Sequence, residues 1–180
     1  MGADLSAVVW CGDGCDRAGE TLEAVAVATR GLAAETILAD GSTDGSGEKA
    51  LQRAPARRIA VPAGAGGARL RAAGVAAAQG RVVALTTPWS RPAPGWGRAI
   101  LEGHRESGGE AVVGGPVAYD GPDRASAWAQ FLFEWGAFLP PLEGEVAELS
   151  VNNVSYPRPL LERFRPSWRD GFWKHFLHKE

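Results

Sequence analysis

Short, unbroken apolar runs alternate with stretches of helical periodicity through the first two thirds of the chain. Leu5 to Trp10, Thr36 to Ala39, Arg57 to Val61, Arg81 to Leu85 and Ala111 to Val113 are too short for helices and are bounded by turn-forming residues, so they read as strands. Between them, Arg17 to Thr29 places Leu22, Val25, Ala26 and Ala28 at helical spacing. A second helix, capped by Ser42 or Thr43, runs to Arg53. A third covers Arg69 to Gln79, with Gly80 closing it in the C′ position. Pro94 suits the first turn of a fourth that continues to Glu106. The strand runs are continuous rather than alternating in polarity, as in strands buried on both faces. The pattern predicts a single Rossmann-like α/β domain, with a mixed, mostly parallel sheet and helices on both faces. In such sheets ligands bind beyond the carboxyl ends of the strands. The loops CGDGC, DGSTDGSG and TTPWSRP all lie at those ends and are expected to converge on one site.

The last third has a different pattern. Ala125 to Leu139 is a helical segment carrying Trp128, Phe131, Phe133, Trp135 and Phe138, ended by Pro140 and Pro141. An aromatic stripe of this kind predicts a helix packed on the sheet; the alternative is a platform for an acceptor, which exposure of Trp128 or Trp135 would favour. LSVNNVSYP reads as a strand or loop leading into a short helix at Leu160 to Phe164, and the tail RDGFWKHFLHKE is amphipathic.

Composition narrows the classes. The chain has 180 residues and a formal net charge of −2, enough for one core and without the basic footprint of a nucleic-acid partner. Cys11 and Cys15 do not have zinc or redox-motif spacing and read as unpaired thiols of a reducing compartment. His175 and His178 share a helical spacing but lack further zinc ligands, and PAGAGGARL satisfies neither phosphate-loop pattern. The start MGADLSAVVW lacks a basic n-region and long apolar stretch, so no signal peptide is expected, and no apolar run reaches the ~20 residues of a membrane span. A cytoplasmic protein is expected, with peripheral contact to the inner membrane face open to the amphipathic tail.

The motif ILADGSTDGS makes the match specific. It resembles the strand and loop of family 2 glycosyltransferases, which end this strand in two Asp followed by Gly-Ser-Thr-Asp-Gly; here Ala39 replaces the first Asp and Asp40 matches the second. The resemblance extends along nearly the whole chain. SAVVWCGDGCDRAGETLEAVAVATRG is similar to the family's opening strand, loop and helix, and GARLRAAGVAAAQGRVVAL to the helix and strand that follow, with Arg71 matching the Arg of Ala-Arg-Asn-Ala-Gly. RPAPGW, AVVGGPV, the aromatic helix and LSVNNVSYPRPLL resemble one bacterial subgroup.

The resemblance implies a GT-A-type domain over residues 1–180, with 1–116 as the nucleotide-sugar half and 117–180 as the acceptor-side half. Family members continue further, which implies a chain truncated at its C-terminus. The implied reaction moves a sugar, with inversion, from a nucleoside diphosphate sugar to a saccharide or lipid-linked acceptor. Cys11, Gly12, Asp40 and Arg71 are implied at the nucleotide, and Asn152, Asn153 and Trp173 at the acceptor. Without the resemblance, Asp40 reads as an Asx turn, Arg71 as a solvated helix charge, and the Asn pair as a self-satisfied turn.

Two departures bear on mechanism. The family holds Mg²⁺ or Mn²⁺ with an Asp-x-Asp after the fourth strand; Thr86, Thr87, Pro88 and Trp89 stand there, so the metal ligands are absent and Thr86 and Thr87 line an emptied metal position. Near the end, Lys174 follows Trp173 where the subgroup shows Trp-Glu, which leaves Asp170 as the candidate base. Three readings follow: a metal-independent transferase using Arg71 or Arg91, a degenerate paralogue that binds nucleotide without turnover, or a carboxylate supplied later by Asp120 or Asp123.

Overall fold

The computed structural model describes residues 2–172; the readings placed on Trp173, Lys174, His175 and His178 lie outside that range. Six strands form one sheet in the order β3-β2-β1-β4-β6-β5. They are β1 (Leu5–Cys11), β2 (Ala34–Asp40), β3 (Arg57–Ala60), β4 (Val82–Leu85), β5 (Val113–Gly114) and β6 (Val154–Pro157). The first four run parallel, paired β1 with β2, β2 with β3 and β1 with β4. β6 runs antiparallel between β4 and β5. The crossovers are α1 (Ala18–Ala28), α2 (Ser46–Arg53), α3 (Gly67–Ala77) and α4 (Trp96–Glu106).

Side chains alternate across the sheet and build one core on each face, the physical signature of a two-sided sheet. Leu5, Ala7, Val9 and Cys11 of β1 pack with Leu22 and Val25 of α1 and Ile100 of α4. Val8 and Ile37 pack on the other face with Val75 of α3, Tyr156 of β6, and Trp168 and Phe172. Gly74 lets α3 sit directly on β1, because a Cβ there would enter the side chain of Val8.

Some local expectations are corrected. Gly80 does not close α3 in a left-handed turn; α3 ends at Ala77, and Gly80 is required because a Cβ would lie 2.5 Å from the Ser6 backbone nitrogen. Of the two expected caps of α2, Ser42 Oγ accepts the Gly47 N–H at 3.0 Å, while Asp44 takes the Ser46 N–H at 2.9 Å. The aromatic segment, α5 (Ala125–Trp135), has no buried residue and does not pack on the sheet; Phe133 is 93% exposed and Leu132 48%. Tyr119, Trp128 and Phe131 instead cluster with one another. Among the described residues no helix is long and apolar enough to cross a membrane.

Candidate functional site

Three loops meet at the carboxyl edge of the sheet, as the strand pattern predicts. β1 and β2 end level, Cys11 opposite Asp40, and Thr86 continues β4 by donating its N–H to Val8 O. Asp13 stitches the first two loops together: its Oδ1 accepts the Thr43 N–H at 2.5 Å, and Gly14 returns an N–H to Asp44 Oδ2 at 2.7 Å. The Gly14 N–H is the main reason the Asp44 carboxyl titrates low, at about 2. The β4 loop is tied to α1, where Thr21 Oγ1 donates to Ser90 O. Trp10 meets Trp89 edge to face at 5.2 Å.

Beside β4 lies a cavity of about 450 Å³, within the range of small-ligand sites. Thr86, Asn152 and Asn153 line it, as do Arg17, Arg91 and Asp120. Trp96, Phe131 and Trp135 make an aromatic wall, so α5 borders the cavity rather than the core. Two of these lining residues, Thr86 and Asn152, each carry a polar atom, Oγ1 and Oδ1, that is buried without a hydrogen-bond partner in the protein. Such atoms are costly in a fold unless something else satisfies them.

The remaining predicted residues occupy distinct places. Asn153 is largely engaged: its Oδ1 accepts Trp96 Nε1–H at 2.9 Å and its Nδ2 donates to Pro116 O at 3.2 Å. Thr87 is buried, its Oγ1 within 2.6 Å of Ser90 Oγ. The Asp40 side chain is 0% exposed; Oδ1 accepts the N–H and Oγ–H of Ser42, and Oδ2 forms an ion pair with Arg58 at 2.7 Å. Its carboxylate therefore holds the β2 loop in the present arrangement. Arg71 is half-buried, away from the cavity lining, and donates Nε–H to Phe172 O at 3.2 Å; burial lowers its pKa. It is not a solvated helix charge. Asp170 is 89% exposed, paired with its neighbour Arg169 and outside the cavity. Asp123 accepts the Trp128 indole N–H.

Cys11 and Cys15 are both free and buried. The Cys11 Sγ lies 3.5 Å from Gly12 O and the Gly12 N–H 3.3 Å from Cys15 Sγ; the bond between the two thiols and burial push Cys11 up, while that bond and the Gly12 N–H lower the Cys15 thiol to about 7. The Gly12 N–H is thus spent within the loop.

The chemistry at the end of β4 does not fit a hard divalent cation. Thr86, Thr87, Pro88 and Trp89 supply no carboxylate there. Among the described residues no group of three His, Cys, Asp or Glu is placed to hold a metal. No motif in the sequence marks Arg17, Arg58, Trp96 and Tyr119 as site residues. Of these only Trp96 has a local signal, its place in RPAPGW.

The family model for glycosyl transferase family 2 matches residues 8–163. A mannosyltransferase from Pyrobaculum calidifontis, in complex with GDP-Man and Mn²⁺, superposes with a TM-score of 0.60 at 16% identity, over 91% of this chain and 47% of its own. Glucosyl-3-phosphoglycerate synthase from Mycobacterium tuberculosis, in complex with Mn²⁺, UDP and phosphoglyceric acid, gives 0.59 at 21% identity, over 88% and 57%. Mannosyl-3-phosphoglycerate synthase from Rubrobacter xylanophilus gives 0.55 at 21%, over 88% and 55%. The chain spans about half the length of these solved structures. No curated protein matches it in sequence. The parallel four-strand half, the antiparallel β6 and these likenesses define a GT-A fold, and the chain belongs to glycosyl transferase family 2.

Proposed function

We propose that the cavity beside β4 binds the diphosphate-sugar portion of a nucleoside diphosphate sugar, and that the chain transfers the sugar, with inversion, to a saccharide or lipid-linked acceptor. The observation that carries this reading is the pair of buried, unpartnered polar atoms on two cavity-lining residues, Oγ1 of Thr86 and Oδ1 of Asn152. One offers a hydroxyl hydrogen and the other accepts, which is the complement of a sugar's hydroxyl groups. The nucleoside is assigned to the stitched loops around Gly12, Asp13 and Ser42. Asp40 serves it by holding Ser42; direct contact with a base requires Arg58 to move off. The aromatic wall of Trp96, Phe131 and Trp135 suits the apolar face of an acceptor sugar. Asn153 positions that wall through Trp96.

A second reading is a paralogue that binds donor without turnover. It is favoured by the cavity's one lining carboxylate, Asp120, being engaged by Arg91 at 2.6 Å rather than free to act as a base.

Calorimetric titration with UDP-glucose and GDP-mannose tests the binding site, using Thr86→Val and Asn152→Leu. Each variant removes an unpartnered buried polar atom, so its folding stability is expected to hold or to rise by up to about 1 kcal/mol. Donor affinity is expected to fall roughly 10-fold. Unchanged affinity in both variants rejects the site. Release of UDP or GDP over a long incubation with saccharide acceptors separates transferase from binder.

A further inference from the structure

We propose that Arg17 and Arg91 hold the donor's diphosphate in place of a divalent cation, and that Asp120 is the internal anion displaced when they do so. This rests on the reading of the cavity as a donor site and adds the source of its positive charge.

A diphosphate carried to the end of β4 needs counter-charge, and the residues there provide none in the form of a metal cage. Two guanidinium groups reach the same space from different elements. Arg17 precedes α1 and Arg91 lies in the loop after β4; both line the cavity. Both converge on a single carboxylate oxygen, Glu20 Oε2, with Arg17 Nη2 at 3.4 Å and Arg91 Nη1 at 3.7 Å. One oxygen shared by two guanidinium groups is the arrangement a phosphate oxygen adopts between two arginines. The second Arg91 nitrogen, Nη2, is 2.6 Å from Asp120 Oδ2. Asp120 is 75% exposed and Arg91 44%, so their pair sits at the rim, where an ion pair contributes little and is readily exchanged.

Charge makes the exchange favourable. Arg17 and Arg91 are opposed by Asp120 and by Glu20, whose other oxygen also pairs with Arg53 at 3.9 Å, so Glu20 neutralises them only in part. A diphosphate brings more charge and more acceptor oxygens than one carboxylate, and it can take both guanidinium groups at once. Arg71 lies outside the cavity, half-buried with its Nε–H on Phe172 O, whereas Arg91 and Arg17 line it.

The opposite assignment, Asp120 as a replacement metal ligand, predicts the opposite sign for one substitution, which makes the test sharp. The full chain is titrated with UDP and with GDP, in a chelator and then with Mn²⁺. The expected result is nucleotide binding in chelator, unchanged within twofold by Mn²⁺. Arg91→Ala and Arg17→Ala each weaken it roughly 10-fold or more, Arg91→Lys weakens it less, and Asp120→Asn tightens it a few fold. Far-UV circular dichroism verifies that each variant is folded, and free inorganic pyrophosphate should compete with the nucleotide in the wild type but not in Arg91→Ala. Binding that appears only with Mn²⁺, or that Asp120→Asn weakens, overturns the arginine assignment and leaves the donor site standing. Arginine variants with wild-type affinity in chelator do the same. No binding of either nucleotide with or without Mn²⁺ overturns both.

Discussion

Ser155 is the joint between the sheet's antiparallel edge and α4, and removing its hydroxyl has a calculable cost. The residue is 0% exposed. Its Oγ–H donates to Val113 O at 2.9 Å, and its Oγ lies 2.9 Å from His104 Nε2. A carbonyl can only accept, so the hydroxyl hydrogen goes to Val113 and His104 must donate from Nε2. The ring is then the neutral Nε2–H tautomer, with Nδ1 buried and without a partner in the protein. Ser155→Ala strips the partner from a buried ring N–H and removes the side-chain bond to Val113 O, a carbonyl that the β5–β6 ladder still serves. At about 1–3 kcal/mol for the orphaned ring N–H, the cost is roughly 1–3 kcal/mol. For a domain of this size that lowers Tm by about 2–12 °C. Urea unfolding followed by tryptophan fluorescence measures it, and a cycle with His104→Leu isolates the pair, with a coupling of about 0.5–3 kcal/mol. A loss below about 0.5 kcal/mol, or strict additivity with His104→Leu, refutes the argument. The same ring carries a pH dependence. Burial lowers the His104 pKa, so the folded ring resists a proton that the unfolded ring takes up below about pH 6.5. Its contribution to stability is complete above that pH and declines as the pH falls through the folded ring's lower pKa. The slope should be shallower in His104→Leu.

Gly74→Val forces branched carbon into Val8, and an overpacked contact of this kind costs about 1–3 kcal/mol, read as a lower urea midpoint with an unchanged slope. Iodoacetamide should label Cys15 with a pH midpoint near 7 and leave Cys11 slow; Cys11→Ala removes the thiol hydrogen bond that chiefly lowers Cys15, so the midpoint should move up, and an unmoved midpoint counts against the pairing.

Much of the architecture is written locally. Apolar runs bounded by Gly, Pro and Asp place β1 to β4 within about two residues, and helical spacing places α1 to α4, because backbone preference and burial pattern act over a few residues at a time. The convergence of the first, second and fourth loops also follows from pattern, since parallel strands joined by helices put every carboxyl end on one edge. The aromatic stripe of α5 misleads for the same reason: periodicity says which residues share a face, and nothing in it says what that face meets.

The sequence by itself therefore determined the α/β class, the edge of the sheet where a ligand goes, and the want of carboxylates after β4. Only the tertiary structure decided which side chains face that edge. It seats β6 antiparallel beside β4, brings Asn152 to Thr86, buries Asp40 under Arg58, turns Arg71 to Phe172, and draws Arg17 and Arg91 to one oxygen of Glu20. All but the local Arg17–Glu20 pair join residues far apart in the chain. Those long-range contacts are set by the packing and charge balance of the whole domain, which no local preference encodes.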